Sequence, residues 1–422
     1  MGEWIKKILI YIAPYGLIEK YRRKQREKER EERQREREKK KAEEARKKEE
    51  AARRKEEARK KKFLQEKTSK KWGTFYAEYH EKEGLENHWI LYEASKGIGM
   101  VGNPYAIFKA FLENAEFQDY VHIWAIKDKE ELLLLQKEYQ AYGNVVFVYY
   151  CSKPYAYFLS KSKYLINDSS FPSMFSKKEG QVFLNAWHGL EIAETGYDAE
   201  DGRRLYRNTI RNLLASDYIV SPNLFMTEVF EKSYRLANLF TGRYIQEGYP
   251  QRDLILETEA GEAVRKLQQR GIQAIAGKKI ILYVPAWEGH GGKNIAVDEE
   301  EYNHFYGCLS EKINQEEYQI FIRLHPDAYK KLNRKAQESG RYIPCGMDMG
   351  EVLSVTDILV TDDPKGWFGF LAADRPILFY TPEQKLSGTA KKLYSKDGHL
   401  PGPYATDLGR LAENLMQADA FA

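Results

Sequence analysis

The chain has 422 residues, of which 42% are hydrophobic, and its formal net charge is +4. This length exceeds one ordinary hydrophobic core, so we expect two packed domains and an additional segment. The three cysteines, Cys151, Cys308 and Cys345, are odd in number and contain no CxxC pair, which argues against a disulfide framework or a cysteine zinc site and fits a reducing cytoplasm.

The charge is concentrated in one segment. Residues 20–62 hold 23 Lys and Arg against 12 Asp and Glu, a local charge of +11, whereas residues 1–19 balance at zero. Because the whole chain carries +4, residues 63–422 carry −7. A mildly acidic body lacks the basic face that nucleic-acid binding requires, so we expect no nucleic acid as partner.

The sequence of residues 1–19 predicts a segment that lies on a membrane surface. Apolar side chains recur at helical spacing from Trp4 to Ile12, and Pro14 and Gly16 interrupt the pattern. The run is shorter than the about 20 apolar residues that cross a bilayer. An interfacial helix is therefore expected, and packing against the body is the alternative.

Residues 20–72 predict a charged spacer. Glu and Lys or Arg recur at helical i,i+4 spacing among good helix formers, which favours a long single helix; a disordered charged tract is the alternative. No apolar seam is present for a two-stranded coiled coil. Residues 1–62 together are expected to bind an anionic membrane surface, at about 1 kcal/mol for each nearby basic residue.

Residues 73–255 predict a first α/β domain. Short apolar strands alternate with amphipathic helices, a pattern typical of a parallel sheet with helices on both faces. In such sheets ligands bind beyond the carboxyl ends of the strands. Trp187-His188-Gly189 directly follows a predicted strand at 182–186, so His188 is a candidate reacting group and its neighbours are candidate cleft residues. A structural histidine is the alternative.

Ser221-Pro222-Asn223 leads from a predicted strand into a helix predicted from Thr227. Capping of this helix is the favoured role for Ser221 or Asn223, although a helix N-terminus can also receive an anion. Both residues are therefore candidates for the acceptor side of the cleft.

Residues 256–422 predict a second α/β domain, in which the alternation restarts with a strand at 279–285. The glycine-rich loop that follows contains Trp287 and Glu288 and is a candidate lid over a ligand. Arg323 and His325 lie two apart on an extended segment, where both could donate to a phosphate. Asp327 is a further candidate donor-binding residue, and neutralisation of Arg323 by Asp327 or a neighbouring carboxylate is the structural alternative.

A further strand ends at Thr361-Asp362, and a turn containing Lys365 and Gly366 leads into a predicted helix. A strand, a glycine-bearing turn and a helix N-terminus can form a diphosphate site. Within residues 256–422 neither GxGxxG nor GxxxxGK[ST] occurs, and no cluster of His, Cys, Asp and Glu predicts a metal site.

Several motifs in one order resemble the CDP-glycerol glycerophosphotransferase family over about residues 88–415. They are WHG at 187–189, SPN at 221–223, GYPxxD at 248–253, ILYxPxW at 281–287, RLHP at 323–326, TD at 361–362, RPILFY at 375–380 and LPGP at 400–403.

The resemblance implies a GT-B-like fold, in which two Rossmann-like domains with parallel sheets face each other across a cleft. It places the acceptor mainly on residues 73–255 and a CDP-activated alcohol mainly on residues 256–422. It further implies phosphotransfer without a metal or other cofactor, with His188 as general base and His325 stabilising the diphosphate of CDP-glycerol. The expected acceptor is a lipid-linked teichoic-acid-like or capsular polymer at the cytoplasmic face of the membrane.

The sequence departs from the family pattern at three places. Leu190-Glu191 stands within a segment that commonly reads WHGTPLK, Glu288 replaces an arginine, and Pro364-Lys365 replaces two serines. These departures leave donor identity and the choice between primase and polymerase open. A GT-B transferase with another nucleotide-activated donor and a catalytically weak, membrane-tethered scaffold are the two alternatives.

Overall fold

The structure is a computed structural model that describes residues 72–191, 194–199, 202–286, 297, 299–362, 366–382 and 400–418, with the helical residues Arg23, Lys24, Gln34 and Glu43. The chain divides into two units, residues 1–70 and 71–422. Apart from these four residues and Trp72, the predicted surface segment and charged spacer lie outside the described residues. Within the described ranges, no helix is long and apolar enough to span a bilayer.

The first half of the second unit alternates strands and helices, as the apolar pattern predicts. Its elements are α1 (Trp72–Lys82), β1 (Glu86–Glu93), α2 (Gly102–Glu113), β2 (Val121–Ile126), α3 (Lys129–Glu138), β3 (Val145–Tyr149), α4 (Lys153–Lys161), β4 (Ser162–Asn167), β5 (Val182–Asn185), α5 (Gly202–Leu205), α6 (Arg207–Ala215), β6 (Tyr218–Val220), α7 (Leu224–Lys232) and β7 (Arg243–Ile245).

The seven strands form one parallel sheet in the order β3-β2-β1-β4-β5-β6-β7. The strand order reverses between β1 and β4, which is the switch point at which doubly wound sheets bind ligands. Pairing of Glu93 with Asn167, and of Asn167 with Asn185, brings the carboxyl ends of β1, β4 and β5 to one edge.

The second half repeats the alternation. Its elements are α8 (Gln251–Glu257), α9 (Ala260–Gln269), β8 (Lys279–Val284), α10 (Glu299–Lys312), β9 (Tyr318–Ile322), α11 (Pro326–Tyr329), α12 (Arg334–Gln337), α13 (Met349–Ser354), β10 (Ile358–Thr361), α14 (Gly366–Phe370), β11 (Ile377–Tyr380), β12 (Tyr404–Ala405) and α15 (Leu408–Met416). The strands form a parallel sheet in the order β12-β11-β10-β8-β9.

Both sheets are buried on two faces, as continuous apolar strands require. Alternate residues of β1 enter opposite cores: Tyr92 packs with Trp124 on one face, and Leu91 packs on the other. Leu282 and Tyr283 separate in the same way in the second sheet. The predicted α/β fold with two parallel sheets is therefore confirmed.

Three local features become clear only in the structure. Helices α8 and α9 are separated by residues 258–259, and α8 packs against both α2 and α13. Strand β7 has only three residues, too few to show an alternation in the sequence. The chain before α15 forms the edge strand β12, whose backbone pairs with β11.

The predicted boundary between residues 255 and 256 falls within α8, which contacts α2 as well as α13. A buried polar cluster holds the adjoining helices together. Lys266 of α9 donates to Glu351 of α13, and its Nζ lies 3.0 Å from Tyr105 Oη of α2. One ammonium group therefore joins helices from both halves.

Arg270 makes a second bridge between the halves. Its guanidinium lies 2.9 Å from a carboxylate oxygen of Glu131 and 3.5 Å from one of Glu138, both on α3. Near this bridge the main chains also meet, since a Cβ added at Gly99 would lie 3.0 Å from Gly346 Cα. Only a residue without a side chain permits so close an approach.

Replacing Lys266 by Met should destabilise the fold by about 3–5 kcal/mol, because the Glu351 carboxylate then remains buried without its counter-charge. Lys232→Met is the matched control, since Lys232 is exposed and pairs with Glu228 on a helix surface. Urea unfolding followed by circular dichroism and tryptophan fluorescence measures both. A loss below about 1 kcal/mol for the Lys266 variant would show that the buried cluster of Lys266, Glu351 and Tyr105 contributes little to stability.

Candidate active site

His188 lies just beyond the carboxyl end of β5, where the alternation predicts a reacting group. Its imidazole ring stacks on the indole of Trp187, with 4.4 Å between ring centroids and 23° between the planes. The indole is buried against Phe230 and Tyr234, whereas the His188 side chain is 41% exposed. A rigid apolar support therefore presents a solvent-accessible imidazole.

The main chain on both sides of His188 is held by hydrogen bonds. The Asn103 amide nitrogen donates to the carbonyl oxygens of Ala186 and Trp187, each at 2.9 Å. The Tyr249 hydroxyl donates to the carbonyl oxygen of Gly189, also at 2.9 Å. These bonds hold a turn with φ of +53° at Trp187 and +142° at Gly189, a region that disfavours side chains.

The predicted capping role is confirmed for Asn223 and differs for Ser221. Asn223 Oδ1 accepts a hydrogen bond from the Met226 amide at 3.0 Å and caps α7. Ser221 is buried, and its hydroxyl lies 2.8 Å from Thr227 Oγ1 and 3.1 Å from the Asn223 carbonyl oxygen. It braces the turn before the helix. Their predicted contact with an acceptor stays a prediction.

Arg323 follows β9 and binds a distant loop. Its guanidinium donates to the carbonyl oxygens of Pro344, Cys345 and Met347, at 3.1 Å for Cys345 and 3.0 Å for Met347. Burial lowers the pKa of this guanidinium. The partners are carbonyl oxygens and not a carboxylate such as Asp327, which the structural alternative predicted. The guanidinium N–H groups that make these bonds are the ones that the predicted phosphate contact would use.

His325 lies beyond the end of β9, at the start of α11. Its Nδ1 accepts a hydrogen bond from the Asp327 amide at 3.2 Å and caps this short helix. The neutral ring therefore carries its hydrogen on Nε2, which is its donor nitrogen. The tautomer is compatible with the predicted contact to a diphosphate.

The remaining predicted donor-side residues lie around the carboxyl ends of β8 and β10. The Thr361 hydroxyl donates to the Val284 carbonyl oxygen at 2.6 Å, and Asp362 accepts from the Ala286 amide at 2.6 Å. Gly366 begins α14. These contacts join the strand ends, while the predicted residues Lys365, Trp287 and Glu288 lie outside the described residues.

A continuous set of contacts connects the two sheet edges. The loop bound by Arg323 contains Gly346, which meets Gly99. Next in the chain, Asp348 accepts from the Gly102 amide at 2.6 Å. Gly102 precedes Asn103, whose bonds hold the turn at His188. The positions of the candidate residues after β5 and β9 are therefore mechanically linked.

Two buried carboxylates at this edge are absent from the sequence-based set. Glu93 accepts from the Tyr155 hydroxyl at 2.6 Å, and Asp168 accepts from the Ser95 amide at 2.7 Å. Burial raises the pKa of Glu93 to about 8 and that of Asp168 to about 7. In the sequence, the signal for these residues is that each lies at the end of a strand. That β1 and β4 are neighbours, however, is apparent only in the folded sheet.

No group of three or more potential metal-ligating side chains occurs among the residues whose structure is described. His188 and His325 belong instead to two separate sheet edges, each following a strand. The arrangement offers an exposed imidazole on one edge and an imidazole with a defined tautomer on the other. Such groups can transfer a proton and donate to an anion.

Comparison with known proteins extends these observations. A family model described as CDP-Glycerol:Poly(glycerophosphate) glycerophosphotransferase matches residues 74–421. A teichoic acid poly(glycerol phosphate) polymerase of Bacillus spizizenii is 28% identical over 305 residues, covering 70% of this chain and 74% of that protein. A teichoic acid glycerol-phosphate transferase of Staphylococcus aureus is 24% identical and covers 79% of this chain and 84% of that protein.

Solved structures of the wall teichoic acid polymerase TagF have a similar fold. One has a TM-score of 0.63 at 20% identity and covers 83% of this chain and 85% of that chain. A variant of the same polymerase soaked with CDPG has a TM-score of 0.65 at 20% identity, with the same coverage. At this level of identity, the similarity establishes the fold.

The raised pKa of Glu93 predicts a pH-dependent stability. Between about pH 4.5 and 8 the native protein retains a proton that the unfolded chain loses, so Glu93 makes the free energy of unfolding fall as pH rises. Glu93→Gln should remove this contribution and gain about 3 kcal/mol relative to the parent protein between pH 5 and pH 8.

Urea unfolding at pH 5, 6.5 and 8 measures the change. Glu338→Gln is the control, because Glu338 is exposed and pairs with Arg334 on a helix surface. Parallel stability curves for the Glu93 variant and the parent would contradict the protonated, buried state of this carboxyl group.

Proposed function

The chain belongs to the CDP-glycerol:poly(glycerophosphate) glycerophosphotransferase family, and on this premise we propose that it transfers glycerol phosphate from CDP-glycerol to a polymer hydroxyl group. The acceptor is a lipid-linked teichoic-acid-like or capsular polymer. The observation that carries the proposal is the exposed imidazole of His188, held on Trp187 at the carboxyl edge of the first sheet.

In the proposed reaction, the acceptor hydroxyl oxygen attacks the β-phosphorus of CDP-glycerol. A new P–O bond forms as the bond to the CMP oxygen breaks, and CMP leaves with the bonding electron pair. His188 takes the hydroxyl proton. Imidazole suits this step because its ordinary pKa is near neutrality, which makes it a proton acceptor at physiological pH.

His325 supplies the complementary contact. Its Nδ1 accepts from the Asp327 amide, which supports a donating Nε2–H directed to a diphosphate oxygen. A preorganised donor stabilises negative charge that develops as CMP departs. The proposal assigns this role to the protein without a resident metal ion or other cofactor.

We place the enzyme at the cytoplasmic face of the membrane as a peripheral protein. Residues 20–62 carry a local charge of +11 and follow a segment with apolar residues at helical spacing. Such a combination favours anionic lipid headgroups. Binding at this surface would bring the cleft to its lipid-linked acceptor.

The full-length protein should release CMP from radiolabelled CDP-glycerol and label a lipid-linked acceptor. His188→Ala should lower kcat/KM at least about 100-fold through loss of the general base, whereas His304→Ala, at an exposed position on α10, should leave it unchanged. His325→Asn can keep the cap of α11 and should still lose activity, which separates the diphosphate contact from helix capping.

Parallel reactions with CDP-ribitol and a UDP-sugar test donor identity. Turnover of one of these donors without turnover of CDP-glycerol would contradict the proposed donor. Full activity of the His188 variant would contradict the proposed base. A folded protein that turns over none of the donors would support the scaffold alternative.

Deletion of residues 1–62 should abolish sedimentation with vesicles that contain anionic phosphatidylglycerol, because the basic charge and the apolar segment are both lost. Neutral phosphatidylcholine vesicles provide the lipid control. Circular dichroism checks that the shortened protein remains folded. Continued sedimentation of a folded, shortened protein with anionic vesicles would contradict the assignment of membrane binding to this arm.

A further inference from the structure

The geometry beside His188 points to an additional residue in the reaction. We propose that Glu191 is a positioning residue that holds the His188 hydrogen on Nδ1 and directs Nε2 toward the acceptor hydroxyl. This inference rests on the proposed function in treating His188 as the general base. It also adds a role to a carboxylate that departs from the family's common WHGTPLK sequence.

The two side chains differ strongly in exposure. Glu191 is 5% exposed and His188 is 41% exposed, with 3.9 Å between Glu191 Oε1 and His188 Nδ1. This separation is within the range of an ion pair and longer than a hydrogen bond. Formation of an imidazolium ion would draw the groups together, and catalytic hydrogen bonds commonly shorten when a substrate binds.

The support beneath the ring restricts which nitrogen can face the acceptor. Stacking on Trp187 fixes the ring plane, and bonds from Asn103 hold the adjoining main chain. Nδ1 faces Glu191. The two ring nitrogens lie on either side of Cε1, so Nε2 points away from this carboxylate, and in the proposed reaction it meets the acceptor hydroxyl.

Glu191 is itself held by the surrounding structure. Its amide donates to Met226 Sδ of α7 at 3.2 Å, which places the residue beside the buried face of this helix. The same turn is also contacted by Asn103 of α2 and Phe230 of α7. Neither of these side chains is ionisable. The carboxylate is therefore directed to the ring by a packed segment.

Tyr249 is one ionisable group that faces this turn, from the segment before α8; Tyr234, which packs on the Trp187 indole, is another. Burial, followed by the charge of Glu191, raises the pKa of Tyr249 well above its ordinary value. Its hydroxyl stays neutral and donates to the Gly189 carbonyl oxygen. Tyr249 thus supports the main chain, while Glu191 supplies the negative charge beside His188.

This arrangement has a defined chemical effect. A carboxylate near Nδ1 favours the tautomer with hydrogen on Nδ1, which leaves the Nε2 lone pair to accept a proton. As Nε2 takes the acceptor proton, the ring becomes positive and the carboxylate stabilises it. Glu191 therefore contributes orientation and basicity through His188, without contacting the reacting phosphorus.

A direct test is the titration of His188 by NMR in full-length protein labelled with [13Cε1]histidine. His188→Ala assigns the resonance among the eight histidines of the chain. Glu191→Gln should lower the pKa of His188 by about one unit, because it removes the neighbouring negative charge while keeping the side-chain size. Glu228→Gln, which alters an exposed carboxylate on α7, should leave the titration unchanged.

The kinetic profile should move with the titration. In Glu191→Gln, kcat/KM should fall about tenfold on its plateau, and its acidic limb should shift to lower pH because the base loses protons more readily. Glu191→Asp keeps the charge and should retain part of both properties. It also provides a folded variant for the test if Gln disrupts the turn.

An unchanged pKa of His188 in folded Glu191→Gln would overturn the proposed pairing. A shifted pKa with an unshifted kinetic profile would overturn the positioning role in the reaction. If His188 shifts but the parent protein turns over no CDP-glycerol, the pairing is supported and the proposed function fails. The direct titration thus separates the two proposals.

Discussion

The buried carboxamide of Asn103 makes three hydrogen bonds on which the geometry around His188 depends. Its nitrogen donates to the carbonyls of Ala186 and Trp187, and its oxygen accepts from the Gln251 amide at 2.9 Å. Both donor hydrogens and one acceptor site are used. One side chain therefore aligns the end of β5 with the starts of α2 and α8.

The same region contains buried charges, which would be costly without compensation. Lys266 and Glu351 of the second half meet Tyr105 of the first, and Asp348 accepts from the Gly102 amide at the start of α2. These contacts place polar groups of one half within the packing of the other. The geometry of the candidate site therefore depends on the contacts between the two halves as much as on either sheet.

Much of the fold follows from local patterns in the sequence. Short apolar strands alternate with helices, and the buried residues Leu411, Ala412 and Leu415 of α15 recur at helical spacing. Loop formers directly after strands also locate His188 and His325 correctly at strand ends. These features depend on neighbouring residues and on backbone geometry, so one sequence suffices to detect them.

The partners of the site residues depend on the tertiary fold instead. The spacing of Arg323 and His325 suggested a shared anion contact, but Arg323 binds carbonyls about 20 residues later. Glu93 and Asp168 resemble ordinary surface carboxylates in the sequence, yet pairing of β1 with β4 buries both. Burial of a single carboxylate and hydrogen bonds to distant residues leave no periodic pattern in the sequence, so they could not be predicted from it.

The approach of Gly99 to Gly346 limits how the two halves can move toward each other. Because this contact is between main chains, no side chain can change rotamer to relieve it, and its formation costs no side-chain entropy. It therefore limits how closely the two halves can approach. A methyl group at Gly99 would require the main chain at Gly346 to shift by a few tenths of an ångström, in the loop that Arg323 holds. Because Gly99 and Gly346 have no side chains, the main chains of the two halves can lie this close together.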